Sequence, residues 1–182
     1  TYAARTRANN WKNDPKHGGG VLNNFVSHVV HNVRWLFGEV ATVTASLRGP
    51  QDMAETAVQA TLDMEAGFPV FLSVASDAFL GHGHSLAVYG EEGSLVLENP
   101  TTDYASGFEL SMGTRETGKL ALVARDELQP GVDGRLAPVA RLAGRFVDAI
   151  LGGAPMSPNF ADGLRVQEFL HEMRIINRAI ST

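Results

Sequence analysis

At 182 residues and 44% hydrophobic content, the chain can bury one sizeable core. It contains no run of about 18 apolar residues that could cross a membrane. Twenty acidic residues against fifteen basic ones give a net charge of -5, and the basic residues are scattered singly, which excludes a nucleic-acid surface. Cysteine is absent, which removes disulfides and thiolate metal sites and fits a reducing cytoplasm.

The chain begins at Thr1 without Met or a leader pattern and enters a strand-like stretch at residues 2–8, as expected of a cut through a longer protein. A loop carrying Trp11, Lys12, Asn13 and His17 leads to Gly18-Gly19-Gly20 and a helix within residues 18–39. At about 100° per residue, Leu22, Phe25, Val26, Val29, Val30, Val33, Leu36 and Phe37 share one apolar arc. Asn24, His28, His31 and Trp35 form a narrow stripe opposite. Arg34 is the only formal charge between Gly18 and Gly38, so this stripe is expected to press against a ligand, a cofactor or another domain. The glycines let the backbone approach something closely at a helix N-terminus, where free N–H groups favour an anion or a polar ligand.

Strand patterns follow. Ala41, Val43, Ala45 and Leu47 alternate with Thr42, Thr44 and Ser46, and Val58, Ala60, Leu62 and Met64 alternate with Gln59, Thr61 and Asp63. Further strands are expected at 69–76, 84–89, 94–98, 107–113 and 119–125, separated by short Gly-, Asn- and Pro-containing turns that suit an antiparallel meander. Helices at 136–151, with Val139, Ala143, Phe146, Val147 and Ile150 on one face, and at 160–180 close the chain. Asp162 near the start of the last helix is explained by capping and the helix dipole. Together these elements predict an α+β fold: an open, mainly antiparallel sheet with helices packed on one face, forming a single domain over 1–182 without internal repeats. The outward positions Thr42, Thr44, Ser46, Gln59, Thr61 and Ser73 are polar but nearly uncharged, which predicts a homo-oligomer through the sheet face.

Two motif-like strings fail on context. Residues 113–119 match a phosphate loop up to Lys119, but Leu120 stands where Ser or Thr should hold magnesium, and the string lies between two strands. No G-x-G-x-x-G follows a strand, so no dinucleotide fingerprint is present. His28 and His31, with His82 and His84, have weakly specific metal spacing and no acid on the stripe; no metal is expected. On the residues alone, His28 is either a partly buried His satisfied by a carbonyl or a proton-transfer group.

The set Gly19, Gly20, Asn24, His28, Arg34, Trp35, Leu36 and Gly38 resembles the catalytic helix in the C-terminal domain of Gfo/Idh/MocA-type oxidoreductases, and the element order is similar over essentially the whole chain. The resemblance implies NAD or NADP as cofactor, bound mainly by an upstream Rossmann domain absent from this chain, with the nicotinamide beside the Asn24/His28 face and Gly19 and Gly20. It implies a sugar, polyol or sugar derivative as substrate, held also by a Lys of the upstream domain. His28 would then accept the hydroxyl proton as hydride leaves the neighbouring carbon. Trp11, Lys12 and His17 are substrate-contact candidates from the loop, and His31 is either a substrate contact or a solvated neighbour. The chain departs from the family pattern at three places: Asn24 and His31 stand where Asp is usual, and Val26 where Gly is expected. An amide cannot take a proton at neutral pH, so Asn24 can only orient substrate or His28. Two rivals remain: a non-catalytic binding or regulatory protein that keeps the fold, and a scaffold domain serving assembly alone.

Overall fold

Apolar alternation in the first half of the chain produces a three-stranded antiparallel sheet, β1 (Val40–Arg48), β2 (Ala57–Met64) and β3 (Pro69–Ala75), in the order β1-β2-β3. The structure is a computed structural model that describes residues 10–78, 83–101, 105–127 and 131–180, with backbone alone at 178–180. The stretch 2–8, read above as a strand, and His82 lie outside these residues. The chain divides into two compact units, residues 1–79 with 157–182 and residues 80–156.

In the first unit, register pairs Val43 with Leu62, Ala45 with Ala60 and Leu47 with Val58, and Leu62 with Val70 across β2 and β3. Because side chains alternate across a strand, these positions point to one face, which is buried. Against that face pack α1 (Ser27–Phe37), preceded by a π-helical turn (Leu22–Val26), and α3 (Phe160–Ile180). Leu22, Val26, Val30 and Val33 meet Val58, Leu62, Leu72, Val166, Phe169, Leu170 and Met173 in one buried cluster. Leu36, at the edge of the expected apolar arc, is instead exposed. The start of α3 carries a reciprocal cap: Asn159 Oδ1 accepts from the Ala161 and Asp162 amides at 2.8 and 3.2 Å, and Asp162 Oδ2 accepts from the Asn159 amide at 2.8 Å. The other face of the sheet carries Thr42, Thr44, Gln59, Phe71 and Ser73 exposed. Thr44, Thr61 and Phe71 stand side by side across the three strands.

The second unit is a four-stranded antiparallel meander, β4 (Ser85–Tyr89), β5 (Gly93–Glu98), β6 (Glu109–Thr114) and β7 (Ala121–Arg125), followed by α2 (Leu136–Ile150). Each strand lies where alternation predicts one, and the α+β class stands. The strands pair as two sheets, however, since β3 and β4 share no ladder; periodicity identifies a strand but not its neighbour across a longer connection. The phosphate-loop-like string forms the β6–β7 hairpin turn, closed by Thr117 Oγ1 accepting from the Thr114 amide at 2.8 Å. On α2, the apolar residues Leu136, Val139, Phe146, Val147 and Ile150 are exposed.

Candidate active site

The loop 10–17 is built of two 3-10 turns, Trp11–Asn13 and Pro15–His17, each begun by a side-chain cap. Asn10 Oδ1 accepts from the Lys12 amide at 3.2 Å, and Asp14 Oδ1 accepts from the Lys16 amide at 2.8 Å. The loop then folds back on the glycines. The Gly20 amide donates to the Lys12 carbonyl at 2.7 Å and the Gly19 amide to the Asp14 carbonyl at 2.9 Å. A methyl group at Gly19 would stand 2.5 and 2.6 Å from the carbonyl oxygens of Lys12 and Trp11, so only glycine fits there.

Gly20, at φ +116°, is shaped by a second neighbour. A Cβ on it would fall 2.2 Å from Glu55 Oε1. Glu55, in the β1–β2 connection, accepts the Val21 amide on its backbone oxygen at 2.9 Å and the Leu22 amide on Oε1 at 3.0 Å. The anion expected at this helix N-terminus is therefore present and belongs to the chain itself. Sequence reading missed Glu55, which lies 33 positions from the amide it accepts and left no local signal.

The turn that follows is π-helical: the Ser27 amide reaches back five residues to the Leu22 carbonyl. Asn24 sits inside it, half-buried. Its side-chain nitrogen donates to the Gly20 carbonyl at 2.7 Å and lies 3.5 Å from the Lys12 carbonyl. Two carbonyl oxygens on one side identify the inner amide atom as nitrogen and leave Oδ1 as the acceptor. Asn23, next to it, points elsewhere, donating to the Gly18 carbonyl at 2.7 Å and accepting from Arg174 Nη2 at 2.7 Å.

Trp11, Lys12, Gly19, Gly20 and Asn24 are thus brought into one clamp, with His28 one turn further along the helix. His28 is exposed and His31 half-exposed, and among the described residues no hydrogen bond or ion pair reaches either imidazole. Trp35 continues the stripe, 73% exposed. Trp11 is 57% exposed, with the Lys12 ammonium 5.9 Å from its ring centroid. His17 is turned to Asp14, Nδ1 to Oδ2 2.7 Å; this hydrogen bond, ahead of that from the Lys16 amide, holds the Asp14 carboxyl below its ordinary range. His84 belongs to the second unit, its ring 6.3 Å from that of Phe108. Among the described residues no group of three or more His, Asp or Glu could hold a metal ion.

At the other end of α1, Arg34 Nε donates to Glu39 Oε2 at 3.1 Å, and Arg165 of α3 reaches the same carboxylate at 3.7 Å. The hydrogen bond from Arg34 is the main cause of a Glu39 carboxyl lowered from its usual value. Arg165 also lies over the ring of Phe169, 4.3 Å from its centroid.

Residues 1–96 match the family model of the GFO/IDH/MocA C-terminal domain. The chain belongs to the Gfo/Idh/MocA family. It is 31% identical to an uncharacterized oxidoreductase of Synechocystis sp., a match covering 88% of this chain and 48% of that protein, so the chain spans about half the length of this relative. Among solved structures it resembles a levoglucosan dehydrogenase in complex with NADH and levoglucosan, with TM-score 0.77 at 20% identity over 98% of this chain and 54% of that one. A similar fold occurs in an oxidoreductase from Agrobacterium radiobacter in complex with NAD+, L-tartaric acid and magnesium (TM-score 0.69, 17% identity, 86% of this chain, 46% of that chain). It occurs again in a UDP-N-acetylglucosamine 3-dehydrogenase from Acidithiobacillus ferrooxidans (TM-score 0.69, 15% identity, 87% and 48%). At these identities the structural matches establish the fold alone.

Proposed function

We propose that this chain is the substrate and assembly half of a cytoplasmic NAD(P)-dependent oxidoreductase that acts on a CH–OH group of a sugar, polyol or sugar derivative. The observation that carries this reading is the uncovered face of α1. His28, His31 and Trp35 lie along it with Asn24 in the turn before, and Arg34, paired with Glu39, is the one charged side chain of the helix, while Val30 and Val33 are committed to the core. A face of that composition suits a polar uncharged ligand and a second domain better than bulk water. The levoglucosan and UDP-N-acetylglucosamine dehydrogenases with this fold support the sugar-like class. The cofactor, held mainly by an upstream Rossmann domain, would supply the hydride acceptor or donor.

In this reading His28, free of internal partners among the described residues, takes the hydroxyl proton. Asn24 Oδ1 accepts a hydrogen bond from the substrate or from His28, because its nitrogen is already occupied. Trp11, Lys12, His17 and His31 border the substrate, and Gly19 and Gly20 shape the backbone near the nicotinamide. The chain by itself is inactive, since it carries no dinucleotide fingerprint.

The decisive experiment is His28→Ala in the full-length protein. Turnover is expected to fall by about 10²- to 10⁴-fold with a smaller change in cofactor affinity. Near-normal turnover in a well-folded variant would remove the assignment. It would favour the second reading, a non-catalytic binding or regulatory protein, which the amide at Asn24 also supports.

A further inference from the structure

We propose that Glu55 is a positioning residue for this site, fixing Asn24 through the Gly20 peptide; the inference rests on the reading of the Asn24/His28 face given above. Three contacts make the connection. The Glu55 carboxylate accepts from the Leu22 amide at 3.0 Å and fills the space where any side chain at position 20 would stand. Position 20 keeps glycine because of its own backbone, at φ +116°, and the carboxylate lies against the open side of that peptide. The Gly20 carbonyl then receives both Asn24 nitrogens, the side chain at 2.7 Å and the backbone at 3.1 Å. No other side chain is hydrogen-bonded to the opening amides of this helix among the described residues, and Glu55 makes no ion pair there, so its charge is balanced by N–H donors and the helix dipole.

The same carboxylate borders an open groove of about 430 Å³ lined also by Gly18, Gly19, Asn23, Arg48 and Arg174. Truncation at Glu55 would therefore leave a carboxylate-sized gap that solvent can reach, with the Leu22 amide at its base and two guanidinium groups along its rim. A small carboxylate such as formate fits that gap in size, charge and hydrogen bonding.

The test uses full-length Glu55→Ala, Glu55→Gln and Glu55→Asp proteins, with formate as the probe. Glu55→Ala is expected to lower kcat by about tenfold to a hundredfold with KM for the nicotinamide cofactor little changed, as a small misplacement of a reacting group does. Formate should restore part of that loss in Glu55→Ala alone, and raise its melting temperature without moving that of wild type. Glu55→Gln keeps an oxygen for Leu22 and should stay near wild type. Hydrogen exchange over residues 20–28 should quicken in Glu55→Ala and slow again with formate. Unchanged kcat in folded Glu55→Ala, or no response of exchange and melting temperature to formate, overturns the proposal. Should Glu55→Ala not fold, Glu55→Asp decides: its shorter side chain must lower kcat and quicken the same exchange. If wild type proves to have no turnover, the functional reading falls by itself, and formate-dependent exchange at 20–28 still decides the role of Glu55.

Discussion

Asn24 is an amide for a reason that its surroundings make explicit. Its nitrogen faces the Gly20 carbonyl at 2.7 Å, with the Lys12 carbonyl at 3.5 Å, and a carboxylate oxygen in that place would lose a hydrogen bond and meet lone pairs. Asn24→Asp is therefore expected to lower stability by about 1–3 kcal/mol at neutral pH. The new carboxyl would have its pKa raised in the folded state, so the deficit should be absent at acid pH, below the unfolded value of about 3.9, and grow as pH rises. Urea unfolding of both proteins at pH 3 and pH 7 measures it, and an equal deficit at both would contradict the geometry. Helical period accounts for His28, His31 and Trp35 facing away from the core, whereas the π-helical turn that holds Asn24 departs from that period and left no mark in the sequence pattern. Glu55 was not legible either, because its contact with Leu22 spans 33 positions and follows no period.

The element scale is governed by how α1 is held at its two ends. Its N-terminal end is tied by Glu55 and the folded-back loop, its C-terminal end by Arg34, Glu39 and Arg165. Glu39 has a depressed carboxyl pKa, so its pairing stabilises the fold above its ordinary value of 4.5 and the contribution is lost as pH falls through the lowered value. Because the carboxylate side chain is 45% exposed, solvent screening keeps that contribution to about 1 kcal/mol or less. Glu39→Gln should thus cost no more than about this much at pH 7 and progressively less as pH falls through the lowered value, as read from denaturant midpoints. A gap that widened on acidification would show that the charge is not what matters there. The start of α3 was legible from Asp162, though Asn159, which caps it, was not read; the approach of Arg165 to Glu39 brings together distant parts of the chain and could not be read.

At the scale of the whole molecule, the exposed face of the first sheet is a surface with no assigned partner among the described residues. Thr44, Thr61 and Phe71 form a row across it, with Phe71 79% exposed, and we propose that a second copy covers it. In a two-fold assembly each substitution occurs twice at the interface. Thr44→Lys with Thr61→Lys should weaken the dimer by at least about tenfold, because like charges brought together at an interface cost more than the roughly 1.4 kcal/mol that a tenfold change needs. Light scattering over a dilution series measures it, and a strictly monomeric wild type would remove the premise. Period-two alternation was enough to find β1 and β2, since burial on one face writes itself into the residue order. That β3 and β4 do not pair, and that the apolar stripe of α2 lies exposed, depend on packing among distant parts of the chain, and local pattern carries no record of it.

The π-helical turn acts as a one-residue adjustment of phase. Everything before it, including the Trp11 loop and the glycines, is rotated relative to everything after it by the extra residue that the wide turn absorbs. Removing a single residue between Leu22 and Val26 would convert the turn to ordinary helix and leave the core face of α1 in register with the sheet. The incoming loop would swing by about 100°, one residue's share of a helical turn. Length at this point, as much as side-chain identity, would then decide which groups stand beside His28, and relatives differing here by one residue would present a different rim to the same imidazole.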